Sequence, residues 1–109
     1  MTVTSSGNRN TIPEVGMGCT IRGYTDRYAG TIIKLNKPKN RLVMQRDKAT
    51  RTDKNGMSDS QSYTYEPDPN GALYTYSLRS NGLWIEVGRP MHSTNLAIGY
   101  RSEYYDYNF

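Results

Sequence analysis

The sequence predicts an all-β fold, a small antiparallel barrel or roll of about seven short strands, closed to protect its edges, with no long helix. Three observations point there. Apolar residues recur at every second position from Met17 onward, the period of a strand with one buried face. Asn-Gly, the pair that tolerates positive φ in tight hairpins, occurs at Asn55-Gly56, Asn70-Gly71 and Asn81-Gly82. No window of about 11 residues sustains the apolar spacing of three and four that a helix requires.

Residues 1–13 read as a polar, frayed arm and 14–109 as one domain, because Thr, Ser, Gly and Asn dominate until Ile12-Pro13. The first strands follow from Met17, Cys19 and Ile21, then from Ile33 and Leu35, with Ile32 assigned to the opposite face. Between Leu35 and Leu42, NKPKNR suits a hairpin turn with a charged rim, and Leu42 and Met44 resume the alternation. The stretch 47–60, DKATRTDKNGMSDS, reads as a long loop or an extended hairpin tip. Loops beyond about 12 residues tend to be functional or disordered.

Three more alternating runs, QSYTYE (61–66), ALYTYSLR (72–79) and LWIEV (83–87), are joined by PDPNG and SNG. Alternation puts Tyr74 and Tyr76 on one side of the second run. Antiparallel pairing with the first run sets them across from Tyr63 and Tyr65, a four-ring ladder. Such a ladder is either a half-buried packing face for a chain short of Leu and Phe, or a stacking platform for bases. The carboxyl end, NLAIGYRSEYYDYNF, opens as a strand at Leu96 and Ile98. Its five rings, Tyr100, Tyr104, Tyr105, Tyr107 and Phe109, are expected to pack on the barrel or on a second subunit.

A chain of 109 residues has room for one core. With 35% hydrophobic and 22% charged residues and a mean hydropathy of -0.82, that core is thin. Ten Tyr, one Trp and one Phe must then supply much of the buried area. No run approaches the roughly 18 apolar residues of a membrane span, and MTVTSSGNRNT lacks the basic end and apolar stretch of a signal peptide. A cytoplasmic protein without a membrane partner is expected. The single Cys, Cys19, excludes an internal disulfide, and the single His, His92, leaves no second imidazole for a zinc cage. Cys19 lies inside an apolar alternation and reads as an inert core residue.

No Walker loop, HExxH or dinucleotide fingerprint occurs, and nothing accompanies His92 at a catalytic spacing. No catalytic residue, metal ligand or cofactor is therefore expected. The enzymatic alternative is a nuclease assembled in three dimensions from His92, Arg101, Glu103 and Tyr residues.

Charge is unevenly distributed. Residues 1–54 hold 11 Lys or Arg against 4 acids, net +7, and residues 55–109 hold 3 against 6, net -3. Between Lys34 and Lys54 there are 8 basic residues against Asp47 and Asp53. A hairpin and loop of that charge neutralise several phosphates, whereas the plainer alternative is that lysines protect an edge and keep the protein soluble. In GYTDRYAG, Arg27 stands between Tyr24 and Tyr28, an arrangement that holds a flat anion by a hydrogen-bonding fork plus stacking. Alternatively Asp26 caps the turn and Arg27 points to water.

The order strand, glycine-bearing loop, strand opening Gly-Thr-Ile-Ile, turn, strand in 15–46, VGMGCTIRGYTDRYAGTIIKLNKPKNRLVMQR, resembles the KOW-type or SH3-like small barrel. The resemblance implies an SH3-like version of the barrel above. In overall composition the chain also resembles small proteins of phages and bacterial mobile elements.

The leading functional expectation is a non-enzymatic module for a phosphate-bearing partner, nucleic acid or nucleotide. Its charge surface comprises Lys34, Lys37, Lys39, Arg41, Arg46, Lys48 and Arg51, and its pocket Tyr24, Arg27 and Tyr28. The runner-up is a protein-protein interaction or inhibitor module of a phage or mobile element that uses the rings at Tyr100, Tyr104, Tyr105, Tyr107 and Phe109. A homo-oligomer that sequesters nucleotides between subunits is the third reading.

Overall fold

The computed structural model, which describes residues 12–23, 25–58, 60–90 and 94–106, contains eight strands. These are β1 (Gly18–Arg22), β2 (Arg27–Asn36), β3 (Arg41–Arg46), β4 (Lys48–Arg51), β5 (Tyr63–Glu66), β6 (Leu73–Leu78), β7 (Trp84–Glu86) and β8 (Asn95–Ile98). Six of them close a barrel in the order β1-β2-β3-β6-β7-β8, with β8 returning to β1 and every neighbouring pair antiparallel. β4 and β5 form a separate two-stranded sheet. The helical content of the described residues is one 3-10 turn, Lys37–Lys39. The all-β expectation holds, and the closed six-strand barrel fits the small SH3- or OB-like class.

Period-two alternation builds the core. Cys19, Ile32, Leu42, Met44, Tyr76, Trp84, Leu96 and Ile98 form one buried cluster, with Met17, Ile21, Leu35 and Tyr74 packed against it. Burying a large side chain of this kind contributes on the order of 1.5–3 kcal/mol, so a few rings compensate for the scarcity of Leu and Phe. Burial pushes the Tyr76 hydroxyl well above its usual range. The Cys19 thiol is pushed up to about 12, by burial first and by Asp47 second.

Two expectations about register are corrected. Ile32, not Ile33, faces the core beside Leu35, because the β2–β3 pairing slips between Ile32 and Lys34. That bulge puts two residues where one is expected and turns Ile33 outward, 40% exposed. The second correction concerns the tyrosine ladder. β5 pairs with β4, while β6 pairs with β3 and β7, so Tyr63 and Tyr65 never stand opposite Tyr74 and Tyr76. Pairing β6 with β3 sets Tyr74 and Tyr76 against Met44 and Leu42 and leaves no open barrel edge. A β5–β6 hairpin gives up both gains.

The stretch after Asp47 is the extended hairpin that its composition suggests. Chain exit and return lie side by side: the Arg46 amide donates to the Ala72 carbonyl at 2.9 Å. The carboxyl-terminal segment 100–106 packs back on the barrel through paired hydrogen bonds between the backbones of Arg27 and Tyr104, at 2.9 and 3.0 Å.

Candidate functional site

The β2–β3 hairpin concentrates unneutralised charge. Pro38 sits in the first turn of the 3-10 segment, its fixed φ suited to that place. Asn40 ends the turn in the left-handed region at φ 49°, its amide donating to the Lys37 carbonyl at 3.0 Å. The Asn40 carbonyl accepts from the Leu78 amide at 2.9 Å, which ties the turn to β6. Within eight positions this hairpin carries Lys34, Lys37, Lys39 and Arg41, all exposed, and no acid. Among the described residues no carboxylate forms an ion pair with any of the four.

Register gathers further polar groups beside them. Lys34 pairs with Val43 and Val43 with Thr75, while Asn36 pairs with Arg41 and Arg41 with Ser77. Side chains at alternate positions share a face. Lys34, Asn36, Arg41, Val43 and Thr75, with Leu42, accordingly line an open groove of about 190 Å³ on the barrel wall. Two cations, an amide and a hydroxyl over an aliphatic floor suit a phosphate-bearing ligand: the cations supply charge and the amide and hydroxyl supply directed hydrogen bonds. Asn36 and Thr75 were not singled out from sequence. Asn36 was legible two positions beyond Lys34, but Thr75 depends on β6 lying beside β3.

The other expected basic residues go elsewhere. Lys48 is exposed on β4, opposite Glu66. Arg51 pairs with Asp53 at 2.9 Å. Arg46 turns inward, its guanidinium 4.7 Å from the Tyr28 ring centroid and its Nη2 3.1 Å from Glu103. Arg27 is exposed at the start of β2, and alternation sends Tyr28 to the other face. Tyr28 donates to Asp26 at 3.3 Å, and burial followed by the Asp26 charge raises its hydroxyl. Tyr24, His92, Tyr107 and Phe109 lie outside the described residues.

The carboxyl-terminal segment, whose Arg101 and Glu103 the sequence offers only as nuclease groups, assembles a buried polar layer of ion pairs that sequence reasoning missed. The Glu103 carboxylate accepts from the Ala29 amide at 2.8 Å, from Arg46 and from the Tyr105 hydroxyl. Asp47, also buried, accepts from the Thr31 hydroxyl and from Arg101 Nε, both at 2.7 Å. Rings complete the layer. Tyr105 lies 5.9 Å from Tyr28 and 6.1 Å from Tyr63, and Tyr63 stacks on Tyr65 at 6.4 Å. Burial and the Glu103 hydrogen bond hold the Tyr105 hydroxyl well above its usual range. Each carboxylate here is matched by an arginine, so the layer fastens segment and hairpin to the barrel. The alternation of base and acid in RSE, flanking the fold's last strand, was its one sequence signal. Of the rings expected at an interface, Tyr100 is 41% exposed while Tyr104 and Tyr105 are engaged within the chain.

The loop between β4 and β5 is organised by side chains. Asp53 accepts from Arg51 Nε at 2.9 Å and from the amides of Ser62 and Asn55 at 2.7 and 2.9 Å. Those bonds, the Arg51 contact first, hold its carboxyl well below the ordinary range. Gln61 donates to the Tyr105 carbonyl at 2.6 Å and accepts from its amide at 3.1 Å.

Among the described residues no group of three or more His, Cys, Asp or Glu comes together to hold a metal, and no helix is long and apolar enough to cross a membrane. Comparison with family models, curated proteins and solved structures found no match.

Proposed function

We propose that this chain is a non-enzymatic module that binds the phosphate backbone of a nucleic acid through the β2–β3 hairpin. The observation that carries the proposal is the run of four exposed cations, Lys34, Lys37, Lys39 and Arg41, with no carboxylate among the described residues in an ion pair with any of them. Edge protection accounts at most for Lys34, where β2 runs past the end of its pairing with β1, and not for Arg41, which lies on β3 between β2 and β6. The groove formed with Asn36 and Thr75 adds hydrogen-bonding groups at the same place.

Fluorescence anisotropy with labelled oligonucleotides over a salt series tests it. Four neutralised phosphates give a slope of log K against log salt of about -3 to -4 on duplex DNA. No binding at about 50 mM salt removes the proposal. A protein-binding surface around Tyr100, the alternative reading, gives partner capture that is nearly indifferent to salt.

A further inference from the structure

We infer that the hairpin grips a double-stranded nucleic acid by its backbone, without regard to base sequence; this deepens the reading above and rests on it. The first argument concerns where the rings are. Proteins that hold single strands combine a cationic groove with aromatic side chains on which bases stack. Here the outward positions beside the hairpin are Asn36, Val43, Thr75 and Ser77, none of them a ring. The described rings lie elsewhere. Tyr74, Tyr76 and Trp84 belong to the core, Tyr28, Tyr63, Tyr65 and Tyr105 cluster beneath the carboxyl-terminal segment, and Tyr104 bridges Arg27. Tyr100 follows β8, its carbonyl accepting from Thr20 of β1 on the far side of β2 from β3.

The second argument is charge density. Strand rise is about 3.3 Å per residue, so the arm from Lys34 to the turn covers roughly 10 Å. Over 10 Å a duplex offers about six phosphates from its two strands, whereas one strand of it offers about three. Four cations on two arms and a turn exceed what one strand neutralises and suit two.

The third argument concerns readout. The turn presents Lys37 and Lys39, and an ammonium is a point charge that does not discriminate among bases as a planar donor fork does. Arg41 and Asn36, the groups able to make paired hydrogen bonds, sit back in the groove on the barrel wall.

The test uses the full chain with labelled DNA and RNA, each as a duplex of two unrelated sequences and as its separated strands, at one low salt concentration. The expected result is a duplex bound about tenfold or more tightly than its strands, with the two sequences bound alike. The DNA and RNA arms identify which duplex is preferred. A Lys37→Ser/Lys39→Ser variant, altered at two exposed turn positions, is expected to keep its thermal midpoint and to lose about tenfold in duplex affinity. Single strands bound as tightly as duplex overturn this inference while leaving the phosphate reading intact. A strong preference for one sequence overturns the sequence-independent grip. Absence of binding to every probe overturns the phosphate reading itself.

Discussion

The guanidinium of Arg46 lies over the ring of Tyr28, its central carbon 4.7 Å from the ring centroid, while Nη2 reaches the buried Glu103 carboxylate at 3.1 Å. Its Nε is buried without a hydrogen-bond acceptor, so the ring face and the carboxylate together offset the desolvation of the cation. One arginine thereby joins β3, β2 and the carboxyl-terminal segment.

Removing the carboxylate leaves that cation uncompensated. Glu103→Ala is expected to lower unfolding stability by about 3–5 kcal/mol, the usual result of breaking one side of a buried pair. Urea unfolding followed by tryptophan fluorescence measures it, Trp84 being in the core. An unchanged midpoint shows that segment 100–106 is not part of the cooperative unit.

Substitutions in the groove behave differently. Lys34→Ala and Arg41→Ala are each expected to reduce the salt slope of nucleic-acid binding by about 0.9 and to change stability by no more than about 0.5 kcal/mol. Arg46→Ala reverses the pattern, with a clear loss of stability. Equal effects of all three on binding contradict the separation of hairpin charge from internal charge.

Gly30 faces a wall. A methyl group there meets Met44 Cε and comes within 2.7 Å of the Gln45 carbonyl oxygen. Gly30→Ala is expected to destabilise by about 1–3 kcal/mol through overpacking. Trimming the methionine in a Gly30→Ala/Met44→Ala variant does not restore the midpoint, because the backbone carbonyl remains and a cavity is added.

Stability is expected to fall on the alkaline side. The Cys19 thiol has its folded value pushed up to about 12 against an ordinary 9.0, so the unfolded chain loses that proton first. The contribution is complete below pH 9.0 and is lost as pH rises toward about 12. Tyr28, Tyr65, Tyr76 and Tyr105, all raised from 10.0, add the same trend at higher pH. Unfolding midpoints across pH measure this. In Cys19→Ala the decline starts nearer pH 10, and an unchanged onset removes the thiol from the account.

Much of the barrel was legible because alternation and turn chemistry are local. Met17, Cys19, Ile21, Leu42, Met44, Leu96 and Ile98 all face inward as their spacing dictates. What escaped depends on contacts between distant segments. No residue near Ile33 announces the bulge that turns it outward. Nothing in PDPNG states that β6 returns to β3 instead of folding back on β5. The hairpin half of the charge surface, Lys34 to Arg41, was readable as a run, since four near neighbours on one hairpin cannot separate. Arg46 and Arg51 left that surface because Glu103 and Asp53 reach them, and for Glu103 the partner is 57 positions away.

The hydrogen bond between Arg46 and Ala72 makes residues 48–71 a graft whose two stems share one socket. The ladder around the barrel runs from β3 straight to β6, so a longer or shorter graft leaves its register untouched. Only the tip of the graft is free to change in length, because Gln61, Tyr63 and Tyr65 meet Tyr105 and Glu103 and so anchor its returning arm to the carboxyl-terminal segment.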